Sequence, residues 1–243
     1  MIYIFGDSFS TPNPNPNINW AWPNALPKAL ESDVVNVSVT ASGLEYTFGQ
    51  FEKYRKKFKS KDIIIITLTA ESRTYFFPDR PRVSKIDSEN ISREEKLAVE
   101  YFMKYLENLD NIRVNTLNFL HAVKDISLEK DLHTIVLHGF DNSHYNDTQD
   151  PTRFHGIHVS QGNMFNYICQ AECANDFIYQ QVMGPNGDIR FNHMCKANHI
   201  ILTNKLISNI RHNTPIDLRQ GFELNIIDDA MLFQLNNTNC SNW

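Results

Sequence analysis

Four consecutive isoleucines, Ile63 to Ile66, sit inside the segment Asp62 to Leu68 and constrain this chain more than any other feature. A strand with one wet face alternates apolar and polar residues. An unbroken β-branched run needs cover on both faces, as strands of parallel sheets have. Ile2 to Phe5 is a second short apolar run, ending at Gly6, and Val34 to Val39 a third; both read as strands. Trp20 to Leu30 reads as a short helix interrupted by Pro23 and Pro27. Leu44, Phe48, Phe51 and Phe58 share one helical stripe, which predicts a helix over Leu44 to Lys59 with a basic outer face. Strand, helix, strand, helix, strand at the start of the chain predicts an α/β fold: a three-layer α/β/α sandwich around a mainly parallel sheet.

The chain has 243 residues, which suits one large domain or one domain with an insertion. Glu71 to Asn90, charged and carrying two prolines, reads as a long loop and a candidate lid. Ser92 before Arg93-Glu94-Glu95 is a helix start, with Val99, Phe102, Met103, Leu106 and Leu109 as the apolar stripe. A further helix is expected from Asn111 to about Asp125, and a strand over Leu132 to Leu137, ending at His138-Gly139. Phe140 to Gly187, rich in His, Asn, Asp and Gln, gives no clear pattern. Met194 to Arg211 reads as the last helix, lined by Ala197, Ile200, Ile201 and Ile207. The organisation expected is an α/β domain over 1–212 with a helical insertion around 71–130. Residues 213–243 then form an appendage that packs elsewhere, or a tail holding a second copy or a larger assembly.

Composition excludes several classes. A net charge of −5 leaves no electrostatic footprint for nucleic acid. No apolar run reaches the ~18 residues of a membrane helix. Ile2 to Phe5 is too short, and lacks the charged start, for a signal peptide. A soluble chain is therefore expected, cytoplasmic or otherwise not secreted by that route, without a membrane partner. Cys169, Cys173, Cys195 and Cys240 form no disulfide framework and are expected as free thiols. His155 and His158 with Cys169 and Cys173 match no standard zinc spacing, so no metal is expected. There is no Gly-x-Gly-x-x-Gly, no phosphate loop and no Gly-x-Ser-x-Gly elbow, and no cofactor is expected.

Open parallel sheets bind ligands beyond the carboxyl ends of their strands. The segments there are Gly6-Asp7-Ser8, Ser42-Gly43, Thr69 to Arg73 and His138 to His144. Ser8, just past the first strand, is either a nucleophile or a helix N-cap. A serine nucleophile needs a base, and His193, just before the last helix, is the candidate. His138, Asp141 and His144 either line the cleft or are solvated loop residues. Asp7 reads as structural, bonding the loop amides around the serine.

Phe5-Gly6-Asp7-Ser8-Phe9-Ser10 at the end of a first strand resembles the first block of the GDSL/SGNH hydrolases. Gly43 stands where that family has a glycine after the second strand, and Asn192-His193 through Asn198-His199 is similar to its last block. The likeness covers the first 70 residues and roughly 180 to 211. It implies a flavodoxin-like SGNH hydrolase fold and an esterase acting on a small ester or an O-acylated carbohydrate. Ser8 would attack, His193 would be the base, and the amides of Ser8 and Gly43 would bind the oxyanion. Two positions depart from the pattern. Glu71 falls where the family has an oxyanion-binding Asn, with Arg73 and Thr69 as alternatives. Arg190 falls where it has the orienting Asp, leaving Asp188, or a backbone carbonyl, to orient His193. These departures keep open a second reading, a module of the same fold with reduced activity that recognises a glycan or a partner protein.

Overall fold

The computed structural model describes residues 1–12, 19–40, 42–71, 97, 101, 109–150, 152–169, 194 and 196–222. The helix start at Ser92, the candidate residues Arg73, Asp188 and His193, and the tail beyond residue 222 lie outside the described residues.

The described elements are β1 (Ile2–Phe5), α1 (Trp22–Ala29), β2 (Val34–Asn36), α2 (Leu44–Tyr54), β3 (Ile63–Leu68), α3 (Leu109–Lys130), β4 (His133–His138), α4 (Tyr145–Thr148), β5 (His158–Val159) and α5 (Lys196–His212). The five strands form one sheet in the order β2-β1-β3-β4-β5, and every pairing is parallel. This is the α/β fold with a mainly parallel sheet that the isoleucine run predicts. The order reverses between β1 and β3, which makes their carboxyl ends the topological switch point. The chain divides into two compact units, one of Met1–Thr11 with Val34–Val159 and one of Pro12–Asp33 with Ser160–Trp243.

The first unit holds the sheet. Tyr3 and Phe5 of β1, Ile64, Ile66 and Leu68 of β3 and Val136 of β4 share one core with Leu44 and Phe51 of α2 and Leu117, Leu120 and Val123 of α3. The alternate residues Ile2, Ile4, Ile65, Ile135 and Leu137 are also fully buried, so both faces of the sheet are dry. Aromatic rings close the core: Phe48 stacks on Phe119 at 4.0 Å, and Phe51 meets the same ring edge-on at 5.3 Å. The predicted helix over Leu44 to Lys59 ends earlier, at Tyr54, and tightens into a 3-10 turn, Arg55–Lys57. Phe58 nevertheless stays buried in the same core. The helix expected from Asn111 to Asp125 runs longer, over Leu109–Lys130. β5 had no sequence signal, because two residues are too few to show a period.

The second unit packs α1 on α5. Trp22 and Leu26 of α1 and Leu202 and Leu206 of α5 are fully buried. The expected interruption of α1 does not occur. Pro23 falls in the first turn, where no N–H is needed, and Pro27 forfeits one bond only. The buried stripe of α5 differs from the expected one. Asn198, His199, Leu202, Thr203, Leu206 and Asn209 face inward, while Ile200 is 43% exposed. The inward polar groups are paired: Trp22 N donates to His199 Nδ1, Thr203 Oγ1 to the His199 carbonyl and Asn209 Nδ2 to the Thr214 carbonyl. Hydrophobic periodicity cannot see a face built from satisfied polar side chains. Among the described residues, no helix is long and apolar enough to cross a membrane.

Candidate active site

β1 ends at Gly6, where the backbone takes φ +150°. A Cβ there would lie 2.5 Å from Ser10 Oγ and 2.8 Å from Thr67 Cβ, so only glycine fits this exit. The chain then makes a single tight turn. The Asp7 carbonyl accepts from Ser10 N and Thr11 N, both at 3.0 Å. Ser8 sits inside this turn, 6% exposed, and α1 begins only at Trp22, so Ser8 is not a helix N-cap. No hydrogen bond engages the Ser8 hydroxyl among the described residues.

Three strand ends hold this turn. On the β2 side, Asn36 Nδ2 donates to the Ser10 carbonyl at 2.8 Å. The Gly6 carbonyl accepts from Val39 N at 3.0 Å and from Ser42 Oγ at 3.1 Å, which stitches the loop before α2 to the end of β1. Gly43 follows as the extended N-cap of α2. The helix therefore turns its positive N-terminal end toward this loop. On the β3 side, the buried Asp7 carboxyl accepts from Phe9 N at 3.1 Å through Oδ1 and from Thr69 Oγ1 at 2.7 Å through Oδ2. Beyond β4, Gly139 leaves no room for a side chain: a Cβ would be 2.8 Å from the Leu68 carbonyl oxygen and 3.2 Å from Phe9 Cδ2.

The loop after β4 carries a residue that sequence reasoning did not single out. Asn142 Nδ2 donates to the Thr69 carbonyl at 2.7 Å, and its Oδ1 accepts from Glu71 N at 3.2 Å. Its only signal in the sequence was its place within the segment His138 to His144 past a strand end. Glu71 turns to the same loop. Its Oε1 accepts from Ser143 Oγ at 2.6 Å and lies 2.9 Å from His144 Nδ1. Burial pushes the Glu71 carboxyl up, but the bonds from His144 and Ser143 outweigh it and hold the carboxyl below its usual range. His144 is wholly buried, and its Nε2 has no hydrogen-bond partner among the described residues.

His138 and His144 are thus not solvated loop residues; Asp141 alone of the three is exposed. His138 belongs to β4, and its Nε2 lies 2.8 Å from Thr148 Oγ1. Burial, with the nearby His144 second, pushes its pKa down to about 3, so the ring is neutral near neutral pH. Among the described residues no cluster of side chains is suited to a metal ion. The structure brings Asp7, Ser8, Gly43 and Glu71 to one end of the sheet of the first unit; Arg73, Asp188 and His193 lie outside the described residues.

No family model matches the chain, and no curated protein matches it in sequence. Among solved structures it is similar to a provisionally assigned lipolytic protein of the G-D-S-L family from Desulfitobacterium hafniense, at 12% identity and a TM-score of 0.44, covering 86% of this chain and 98% of that one. It is also similar to protein YxiM from Bacillus subtilis, at 17% identity and a TM-score of 0.35. That match covers 57% of this chain, which spans only 32% of the Bacillus protein.

Proposed function

We propose that this chain is a serine hydrolase that cleaves an ester, a small one or an O-acylated carbohydrate, through an acyl-enzyme on Ser8. The observation that carries the reading is the setting of Ser8. It lies just past β1 at the switch point of a parallel sheet, in a turn fixed by Asp7 and Gly6, with a hydroxyl committed to no other group among the described residues. Ser8 Oγ attacks the carbonyl carbon and its proton passes to His193, the base the sequence offers, with Asp188 or a backbone carbonyl to orient it. The carbonyl π-bond electrons move to oxygen, where the amides of Ser8 and Gly43 meet them. Collapse of this intermediate expels the alcohol, which takes the proton from His193. A water molecule, losing its proton to His193, then attacks the acyl-enzyme and releases the acid and Ser8.

Hydrolysis of a short-chain aryl ester by the native chain and by Ser8→Ala tests this. The expected outcome is turnover in the native chain and background rates in Ser8→Ala and in His193→Ala. A fluorophosphonate probe is expected to label the native chain and not Ser8→Ala. Equal turnover in Ser8→Ala overturns the assignment. A folded native chain that neither turns over ester nor takes the label is instead a module of this fold that recognises a glycan or a partner protein.

A further inference from the structure

We infer that Asn142, from the loop after β4, supplies a side-chain N–H to the oxyanion that forms on the substrate; this rests on the ester-cleaving reading of Ser8. Charge develops on the carbonyl oxygen during attack, and donors fixed in advance at the strand ends stabilise it most. A carboxylate cannot serve. Glu71 is also turned away, its Oε1 taken up by Ser143 and His144. Among the described residues of the loops after β3 and β4, Asn142 carries the only side-chain amide besides exposed or distal positions further along, and it is held at both ends. Its Oδ1 accepts from Glu71 N, and one Nδ2 hydrogen goes to the Thr69 carbonyl.

A primary amide nitrogen carries two hydrogens. The second Nδ2 hydrogen has no acceptor among the described residues, although Asn142 is 92% buried, being 8% exposed. The two bonds fix the plane of the amide, so the direction of the spare N–H is set before substrate arrives. Asn142 is also close in connectivity to the nucleophile turn. Thr69, whose carbonyl it holds, donates its hydroxyl to Asp7, the residue before Ser8. The amide is thereby tied through Thr69 to the turn that carries Ser8, from the loop after the strand next to β3.

The test compares the native chain, Asn142→Ala and Asn142→Asp on a short-chain aryl ester and on its thionoester, with thermal midpoints recorded. Sulfur accepts hydrogen bonds weakly, so a lost oxyanion donor lowers the ester rate more than the thionoester rate. The expected result is a fall in kcat on the ester of about 10²-fold or more, little change in KM, and a much smaller fall on the thionoester. Asn142→Asp keeps the acceptor for Glu71 N and serves if Asn142→Ala does not fold. Equal losses on both substrates would mean that Asn142 only positions the loops, and near-native kcat would mean it has no part; either overturns the inference while leaving Ser8 as nucleophile intact. A native chain without Ser8-dependent turnover overturns the reading of Ser8, and this inference with it.

Discussion

A single added methyl group at Gly139 would crowd the turn that carries Ser8. At Gly139 an added Cβ would press on the Leu68 carbonyl oxygen and on the Phe9 ring, and neither can move without disturbing β3 or the turn. Gly139→Ala is therefore expected to lose about 1–3 kcal/mol of stability, as overpacking typically does, read from urea unfolding. Ser8 reactivity toward a fluorophosphonate should fall alongside. Thr69→Val removes the hydroxyl that donates to the buried Asp7 carboxyl while keeping the side-chain shape. Loss of that hydrogen bond is expected to cost about 1–3 kcal/mol. The same measurement checks it, and a change within error would mean that Thr69 does not hold the turn.

At the scale of elements, α3 supplies the largest test of the core. Leu120 is fully buried in it, and Leu120→Ala is expected to cost about 2–5 kcal/mol. Ile200→Ala on α5, at 43% exposure, should change stability by no more than about 0.5 kcal/mol. A reversal of that order would put the expected stripe back on Ile200. The contrast also marks what the sequence can convey. β1, β3 and β4 were legible because a strand buried on both faces must be apolar throughout, and Ile63 to Ile66 admits little else. The Ser8 turn was legible because Gly6 ends such a strand. α5 was misread because four of the six residues on its inner face are polar and satisfied within the fold, which no period of hydrophobicity reports. Asn142 was passed over for a related reason: its role depends on two backbone partners some seventy positions earlier, Thr69 and Glu71. An asparagine in an asparagine-rich loop does not announce such partners.

For the molecule as a whole, acid is the condition that the buried histidine predicts it will resist least. The His138 pKa is pushed down to about 3 in the fold, against an ordinary value of 6.5. Between those values the unfolded chain binds a proton that the folded chain refuses. The contribution is complete above about pH 6.5 and is lost as pH falls, by up to about 1.4 kcal/mol for each pH unit. Glu71, held below its ordinary 4.5, adds a loss of the same sign at lower pH. Urea midpoints taken from about pH 7.5 to 5 should fall, and His138→Gln should flatten the slope; an unchanged slope would mean that His138 is protonated in the fold. The two compact units have a different consequence, for anyone wishing to take the protein apart. The chain passes between them after Thr11, after Asp33 and again after Val159. No single cut can free either unit. Ending the chain at Val159 would strand Trp22 and Leu26 without α5, while excising Pro12–Asp33 would require Thr11 to be rejoined to Val34. Separating the two as cassettes therefore takes cuts at three places and a rejoining of Thr11 to Val34.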